Sequence, residues 1–479
     1  MRGRTVRLQS ITLKNFKNVK NGKIEMPNAY KRILSCNNAE VLGIYGQNGS
    51  GKTAVIDAVY FLQQIMVGEN LERELLDYIG KKEKQAEIIA EFAIFNLNEI
   101  FEVGYRVVLE RISDNEVEIV RECLNCAVNT KDGERSNKTV FMDYSRDDEE
   151  NVFLPKKRVD ELVGNNAENK IDLLVAKKIA EKSKCSYIFG ESSREIFAKQ
   201  KGKPFEHYAD IIGSLIEFST IDLFVIRSAH SGVISASFVL PMAFRIEEQS
   251  DEGIGFKGEF AMPLHHPDVL DDERKMILEE IIDKINIVLP TIIPGMRIDI
   301  KNYGKQLDDE GVEGTKLELL SVRGDVVLPI RMESEGIVKI ISILSALIQA
   351  FGNKSICLLI DELDAGVFEY MLGELLDIFK KSAKGQLIFT SHNLRPLEML
   401  DKESVMFSTT NPENRYIHMK NIRPTNNFRD VYLRSITLGG QDEEIYEETE
   451  SLKIARAFRK ANRSKQNGEG RKESNFSNS

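Results

Sequence analysis

An α/β fold with a mixed sheet is what this sequence predicts, and three short apolar runs carry the prediction. VLGIY, Val41 to Tyr45, leads into GQNGSGKT, Gly46 to Thr53, and the helical run TAVIDAVYFLQQIM follows from Thr53. Far downstream, Cys357 to Ile360 end in Asp361 and Glu362, and QLIFT ends in Ser391-His392. Each run has an apolar centre, as a strand buried on both faces of a parallel sheet must. In open sheets of this kind ligands sit outside the carboxyl ends of the strands, where all three runs end in polar residues.

The first of these ends fits the pattern GxxxxGK[ST], a phosphate-binding loop. Gly46, Gly49 and Gly51 let the backbone N–H groups of Gln47, Asn48 and Ser50 turn toward phosphates, Lys52 reaches the terminal phosphates, and Thr53 offers its hydroxyl to magnesium. ATP and Mg2+ are therefore the expected cofactors. Asp361, at the second strand end, would meet the same metal, and Glu362 would stand where it can orient or deprotonate an attacking water. Taken alone, an apolar run ending in Asp-Glu is equally a strand followed by an acidic helix cap; the phosphate loop is what favours the catalytic reading. Ser334-Glu335-Gly336 precedes IVKIISILSALIQAF, an apolar helix whose start would present a hydroxyl and free N–H groups, as a functional anion site or as an ordinary cap.

Taken in order, the loop, the SxG helix start, the DE strand and the strand ending in histidine resemble the head of ABC-type ATPases. That resemblance implies that Ser334 and Gly336 bind the γ-phosphate of ATP held by another subunit, that His392 is a switch histidine, and that Leu363-Asp364 is a D-loop. The opening LQSITLKNFKNVKNGKIEM is similar to that of the RecF, SMC and OLD-type members, in which the segment around NF lies by the nucleotide; Phe16, Lys17 and Asn18 are the corresponding candidates here. DELDAGVFEYMLGELL and FTSHNLRPLEML resemble standalone ATPases of bacterial phage-defence operons. The likeness covers roughly residues 1–110 and 315–440. It departs in the short SEG signature and in the lack of an assignable Q-loop glutamine.

Composition narrows the alternatives. The chain has 479 residues, 42% of them hydrophobic, enough for more than one core. No stretch of 18 uncharged apolar residues and no signal-peptide core is present, so the expectation is a cytoplasmic protein without a membrane partner. Five cysteines, with only Cys123 and Cys126 close together, do not make a zinc site. The net charge of −10 argues against a uniformly basic DNA-binding surface. Lys81-Lys82, Lys156 to Arg158 and Arg456 to Lys465 leave DNA open as a partner, though such runs are usually solvated faces.

The expected organisation is an N-terminal lobe over 1–125, an inserted helical lid over 126–300, a C-terminal lobe over 301–440, and a charged helix with a disordered tail over 441–479. AEIIAEFAIF and EVGYRVVLERI alternate as antiparallel strands joined near Asn96 to Asn98. Within the insertion, Tyr208, Ile211, Ile212, Leu215 and Ile216 fall at helical spacing. So do Ile277, Ile281, Ile285 and Val288, with Asp271 or Asp272 at the start and Pro290 at the end. Neither pattern lasts long enough for a coiled-coil arm, which favours a compact lid. ESVMFST and RYIHM read as closing strands around the turn NPEN. The chain ends too early for the nuclease domain fused to OLD-type ATPases, so cutting would fall to another polypeptide. The resemblance implies a homodimer or higher homo-oligomer formed through ATP that controls a separate effector in phage defence. A RecF-like DNA repair factor and a scaffold merely locked by ATP are the alternatives.

Overall fold

The computed structural model describes residues 4–29, 31, 34–96, 99–130, 135–163, 167–199, 205–227, 239–247, 255–264, 266–308, 311–420 and 427–469. The hairpin β1 (Thr5–Phe16) and β2 (Val19–Glu25) precedes β3 (Glu40–Tyr45), which runs into helix α1 (Lys52–Val67). Strands β4 (Gln85–Phe95), β5 (Glu99–Ser113), β6 (Glu116–Thr130) and β7 (Thr139–Ser145) join the hairpin in a six-stranded antiparallel sheet, ordered β2-β1-β4-β5-β6-β7. The two alternating runs thus pair as expected, Ala90 opposite Tyr105, although Leu97 and Asn98 of the joining turn lie outside the described residues.

Helices α2 (Lys156–Val163), α3 (Ala167–Ser183), α4 (Glu191–Lys199) and α5 (Phe205–Glu217) follow. Their apolar faces, with Tyr208, Ile211, Ile212 and Leu215 of the foreseen stripe, share one core with α1 and the antiparallel sheet. The chain then enters β8 (Leu223–Ile226), the hairpin β9 (Val239–Glu247) and β10 (Gly255–Pro263), and β11 (Asp268–Leu270). Helix α6 (Asp272–Ile292) is capped by Asp271, whose carboxylate accepts from Arg274 N at 2.7 Å. It runs two residues beyond Pro290, the expected terminus, because a proline forbids only its own N–H bond and the last turn closes through Ile293 N on Leu289 O. Its foreseen apolar face packs on the sheet of β12 (Met296–Leu307), β13 (Glu313–Arg323) and β14 (Val326–Pro329).

The remaining elements are α7 (Glu335–Gly352), β15 (Cys357–Ile360), α8 (Glu369–Ser382), β16 (Gln386–Thr390), β17 (Val405–Ser408), β18 (Tyr416–Ile417), α9 (Phe428–Leu438) and α10 (Ser451–Glu469). By length and composition α7 could cross a membrane, but about two thirds of it is buried between two cores of this fold.

Three of the expected boundaries shift. The cut at 125/126 falls inside β6, whose polar-looking residues are held along its length by β5, and the cut at 300/301 falls inside β12. The span 126–300 also contributes β8 to the central sheet, so the chain leaves the head, returns and leaves again. Residues 441–450 are not helical; the segment packs on the head through the buried Ile445, and the charged helix starts at Ser451. Residues 470–479 of the expected disordered tail lie outside the described residues.

The central sheet is ordered β18-β17-β3-β16-β15-β8, all parallel except β18. Successive residues serve opposite faces: Cys357 and Leu359 enter the core around α1, while Leu358 and Ile360 enter the core under α7 and α8. A buried glutamine stitches the two sheets, Gln386 accepting from Leu8 N at 2.9 Å and donating to Leu8 O and Glu40 at 2.8 Å each. Register aligns Ile360 with Phe389 and with Ile226, and Thr390 with Ile44, so the C-terminal ends of β3, β16, β15 and β8 emerge side by side.

Candidate functional site

These ends meet in an open cleft of about 550 Å³ lined by Lys17, Asn18, Asn48, Gly49, Gly51 to Ala54, Glu362, Thr390 and His392. Residues about three hundred positions apart therefore converge, as the sequence required. The loop is shaped by backbone: Gly46, Gly49 and Gly51 all have positive φ, and a Cβ on Gly46 would lie 2.0 Å from Ser408 Oγ. Lys52 folds back on its own loop, donating to Gly46 O at 2.9 Å and Gln47 O at 3.0 Å. Burial lowers its pKa, opposed by the nearby carboxylates of Asp361, Glu362 and Asp364.

Gln47 and Ser50 hold the loop rather than line the cleft. The Ser50 hydroxyl bonds Gln47 O and Ser408, while the Gln47 amide is occupied by the segment after α9, donating to Glu447 O at 3.3 Å and accepting from Glu447 N at 3.0 Å. That segment is anchored by Glu443, whose carboxylate accepts from Asn411 and Asn414, in the loop between β17 and β18. The same loop braces the glycines, since Tyr416 donates to Gly51 O at 2.6 Å and Arg415 to Asn18 O at 2.6 Å.

At the end of β15, Asp361 is 1% exposed. Its Oδ1 accepts from Thr53 at 3.2 Å and from Thr390 at 2.6 Å, but its Oδ2 is buried with no hydrogen-bond partner. An orphaned carboxylate oxygen beside a hydroxyl is the donor set a hard divalent cation takes, so Thr53 and Asp361 fit magnesium. Glu362 has φ of 51°, a left-handed conformation that a non-glycine residue adopts only under constraint. Its N–H donates to Thr390 Oγ1 at 2.7 Å.

His392 follows β16, with its backbone N–H and that of Asn393 both donating to Asp364 Oδ2, at 3.0 and 2.9 Å. Burial and the neighbouring Lys52 hold its imidazole below the usual value, against the pull of Asp364 and Glu362. The ring is therefore neutral near pH 7 and able to accept a proton.

Ser334 and Gly336 are not in the cleft. Ser334 starts α7 without a side-chain capping bond, and Gly336 lies against the loop after Glu362, where an added Cβ would sit 2.1 Å from Gly366 O. Phe16 is a correction: it is 0% exposed and packs on Phe61 and Tyr78, because the strand it ends turns its ring inward. Lys17 and Asn18 do line the cleft, Asn18 bonding Gly49 O and Lys17 pairing with Asp57.

The sequence reading missed Asp57, Arg227 and Thr390. Asp57 is shared by Lys17 and by Arg227, which donates to it at 3.0 Å and to Tyr78 at 2.7 Å, pairs with Glu74 and stacks on Tyr60. A signal for Asp57 existed, as the only charge in TAVIDAVYFLQQIM. Arg227 and Thr390 have none, one being a polar residue just after a strand and the other the last residue of one. Residues 228–238, next after Arg227, contain no glutamine and lie outside the described residues.

The SMC head domain from Thermotoga maritima is 12% identical, with a TM-score of 0.33 covering 87% of this chain and 100% of that one. An Smc head from Pyrococcus furiosus, solved bound to the C-terminal domain of ScpA, is 15% identical, with a TM-score of 0.36 over 86% and 96%. Among curated proteins nothing matches this sequence. The family model for the AAA ATPase domain matches residues 7–395, most of the chain and both halves of the cleft. With phosphate loop, metal-competent aspartate and adjacent glutamate converging in one cleft, this chain belongs to the AAA ATPase domain family and is an ATPase.

Proposed function

We propose that the chain hydrolyses Mg–ATP in the cleft above β3 and β15, forming a head-to-tail dimer around the nucleotide, and controls a separate effector in bacterial phage defence. Lys52 and the loop N–H groups clamp the phosphates, where preorganised charge supplies most of the catalysis in phosphoryl transfer. Thr53 and Asp361 hold the metal, which when bound neutralises charge on the phosphate oxygens. Glu362 aligns the attacking water. His392, neutral and tied through its backbone to Asp364, faces the same phosphates.

The observation that carries the dimer is the position of Ser334 and Gly336 outside the cleft of their own chain. Ser334 leaves its hydroxyl uncommitted to the helix start; Met332 just before it is exposed, as are Phe368 and Tyr370, which follow the Gly366 that packs on Gly336. A surface of that kind supports burial against a second copy. The phage-defence role rests on the sequence resemblance, as does a neighbouring effector. The exposed basic positions of α10, Lys453, Arg456, Arg459 and Lys460, give the DNA-binding alternative its support.

The test is the mass of Glu362→Gln with and without Mg–ATP, by light scattering after size exclusion. The expected outcome is a dimer only with nucleotide, abolished by adding Ser334→Arg. A variant that binds ATP yet stays monomeric would sink the sandwich. Co-purification of the operon partner, and salt-dependent retention of duplex DNA, separate the effector reading from the repair reading.

A further inference from the structure

We propose that Lys339 is a positioning residue that locks the backbone turn aiming Glu362 into the cleft. Lys339 is the only charged residue in α7 after Glu335 and is buried, 6% exposed, in a helix otherwise committed to apolar packing. A lysine placed there needs a polar destination, because an ammonium buried without partners is strongly unfavourable. Its Nζ donates to the carbonyl oxygen of Glu362, which also accepts from Ala365 N at 3.0 Å. Its surroundings are the carboxylates of Asp361, Glu362 and Asp364, which oppose the downward pull of burial on its pKa.

The target of this bond is the one non-glycine residue of the loop with a positive φ. Glu362 sits at φ 51°, a left-handed backbone that a non-glycine residue keeps only when its surroundings impose it. Two groups grip its peptide units from opposite sides: Thr390 Oγ1 takes its N–H at 2.7 Å, and Lys339 takes its carbonyl. The Thr390 hydroxyl also donates to Asp361 Oδ1 at 2.6 Å, so the two acidic residues of the site share one grip, and Lys339 supplies the other from a different element. With the lysine removed, the turn can relax toward right-handed backbone and swing the Glu362 carboxylate away from the phosphates. The effect falls on alignment of water and not on phosphate binding, since the Lys52 bonds go to the loop on β3.

This inference rests on Glu362 as the water-aligning residue. The experiment measures kcat and KM for ATP, and equilibrium binding of a fluorescent ATP analogue, in the full chain carrying Lys339→Met or Lys339→Arg, each alone and with Glu362→Gln. Lys339→Met should lower kcat by about tenfold or more, with KM and analogue affinity changed by less than about threefold. Lys339→Arg, which keeps a charged donor, should recover the rate to within about threefold of the native chain. In the Glu362→Gln background the methionine should cost less than about twofold, because a residue that acts through Glu362 has nothing left to act through. If Lys339→Met does not fold, Lys339→Gln carries the same comparison. A kcat unchanged in Lys339→Met, or a loss equally large in the Glu362→Gln background, overturns the proposal. A native rate in Glu362→Gln alone overturns the assignment of Glu362 instead.

Discussion

Asp361 and Glu122 are both carboxylates sealed inside this molecule, and they are satisfied in opposite ways. Glu122, 0% exposed on β6, has both oxygens occupied: Tyr105 and Ser186 hydroxyls reach Oε1 at 2.6 and 2.5 Å, and Tyr187 N reaches Oε2 at 2.7 Å. Burial pushes its pKa up, while these donors pull the other way. Asp361 is as deeply placed but leaves Oδ2 bare, with the ammonium groups of Lys52 and Lys339 near it and bonded to other atoms. The first arrangement joins the antiparallel sheet to the segment after α3; the second keeps bonding capacity in reserve. That bare oxygen, beside the Thr53 hydroxyl, is why Asp361 fits a metal and Glu122 does not.

The largest effect that sharpens this contrast is on turnover. Lys52→Ala should lower the ATPase rate by about a hundredfold or more while leaving the melting temperature near the native one, because the ammonium bonds only its own loop. Next in size, Glu122→Gln should destabilise the chain by about 1–3 kcal/mol in urea unfolding, since an amide has one acceptor oxygen where the carboxylate accepts at both, so either Tyr187 N or the Tyr105 and Ser186 hydroxyls would face an NH2, with specific activity of the folded fraction kept. Asp361→Asn should do the reverse, changing unfolding by less than about 1 kcal/mol in the absence of metal while weakening magnesium-dependent nucleotide binding. The contrast breaks if the stability losses of these two variants are exchanged.

Smaller effects test the rim of the site. His392 is held below its usual value of 6.5, so the unfolded chain binds a proton more readily, and stability is lost as pH falls below about that value. His392→Gln should flatten that acid limb in a melting series taken through pH 6.5 and downward. The least perturbing change is Gln47→Ala, expected to cost less than about 1 kcal/mol but to raise amide exchange around Glu447, where the glutamine now pairs with the backbone.

The strands β3, β15 and β16 were legible because each is short, apolar on both faces and ends in a polar cluster, a pattern with few structural solutions. That Lys52, Thr53, Asp361 and Glu362 come together was legible too, since these are the residue types that the proposed phosphate and metal chemistry would require at strand ends. Helix α5 and the stripe of α6 declared themselves by period. Strand β8 did not, since its four residues follow directly on a helical stretch and differ little from it in composition. The inward turn of Phe16 was hidden too, because an aromatic residue at a strand end reads the same whether it faces a base or a core.

By itself the sequence determined which residue types stand at the ends of β3, β15 and β16 and that these runs are strands, because local pattern acts over a few residues. Only the tertiary structure decided that Arg227, Thr390 and Lys339 surround those groups and that Gln47 is taken by Glu447. Such relations depend on sheet register and on which helix packs where. Those are set by burying hundreds of side chains at once, and no local stretch of the chain records them.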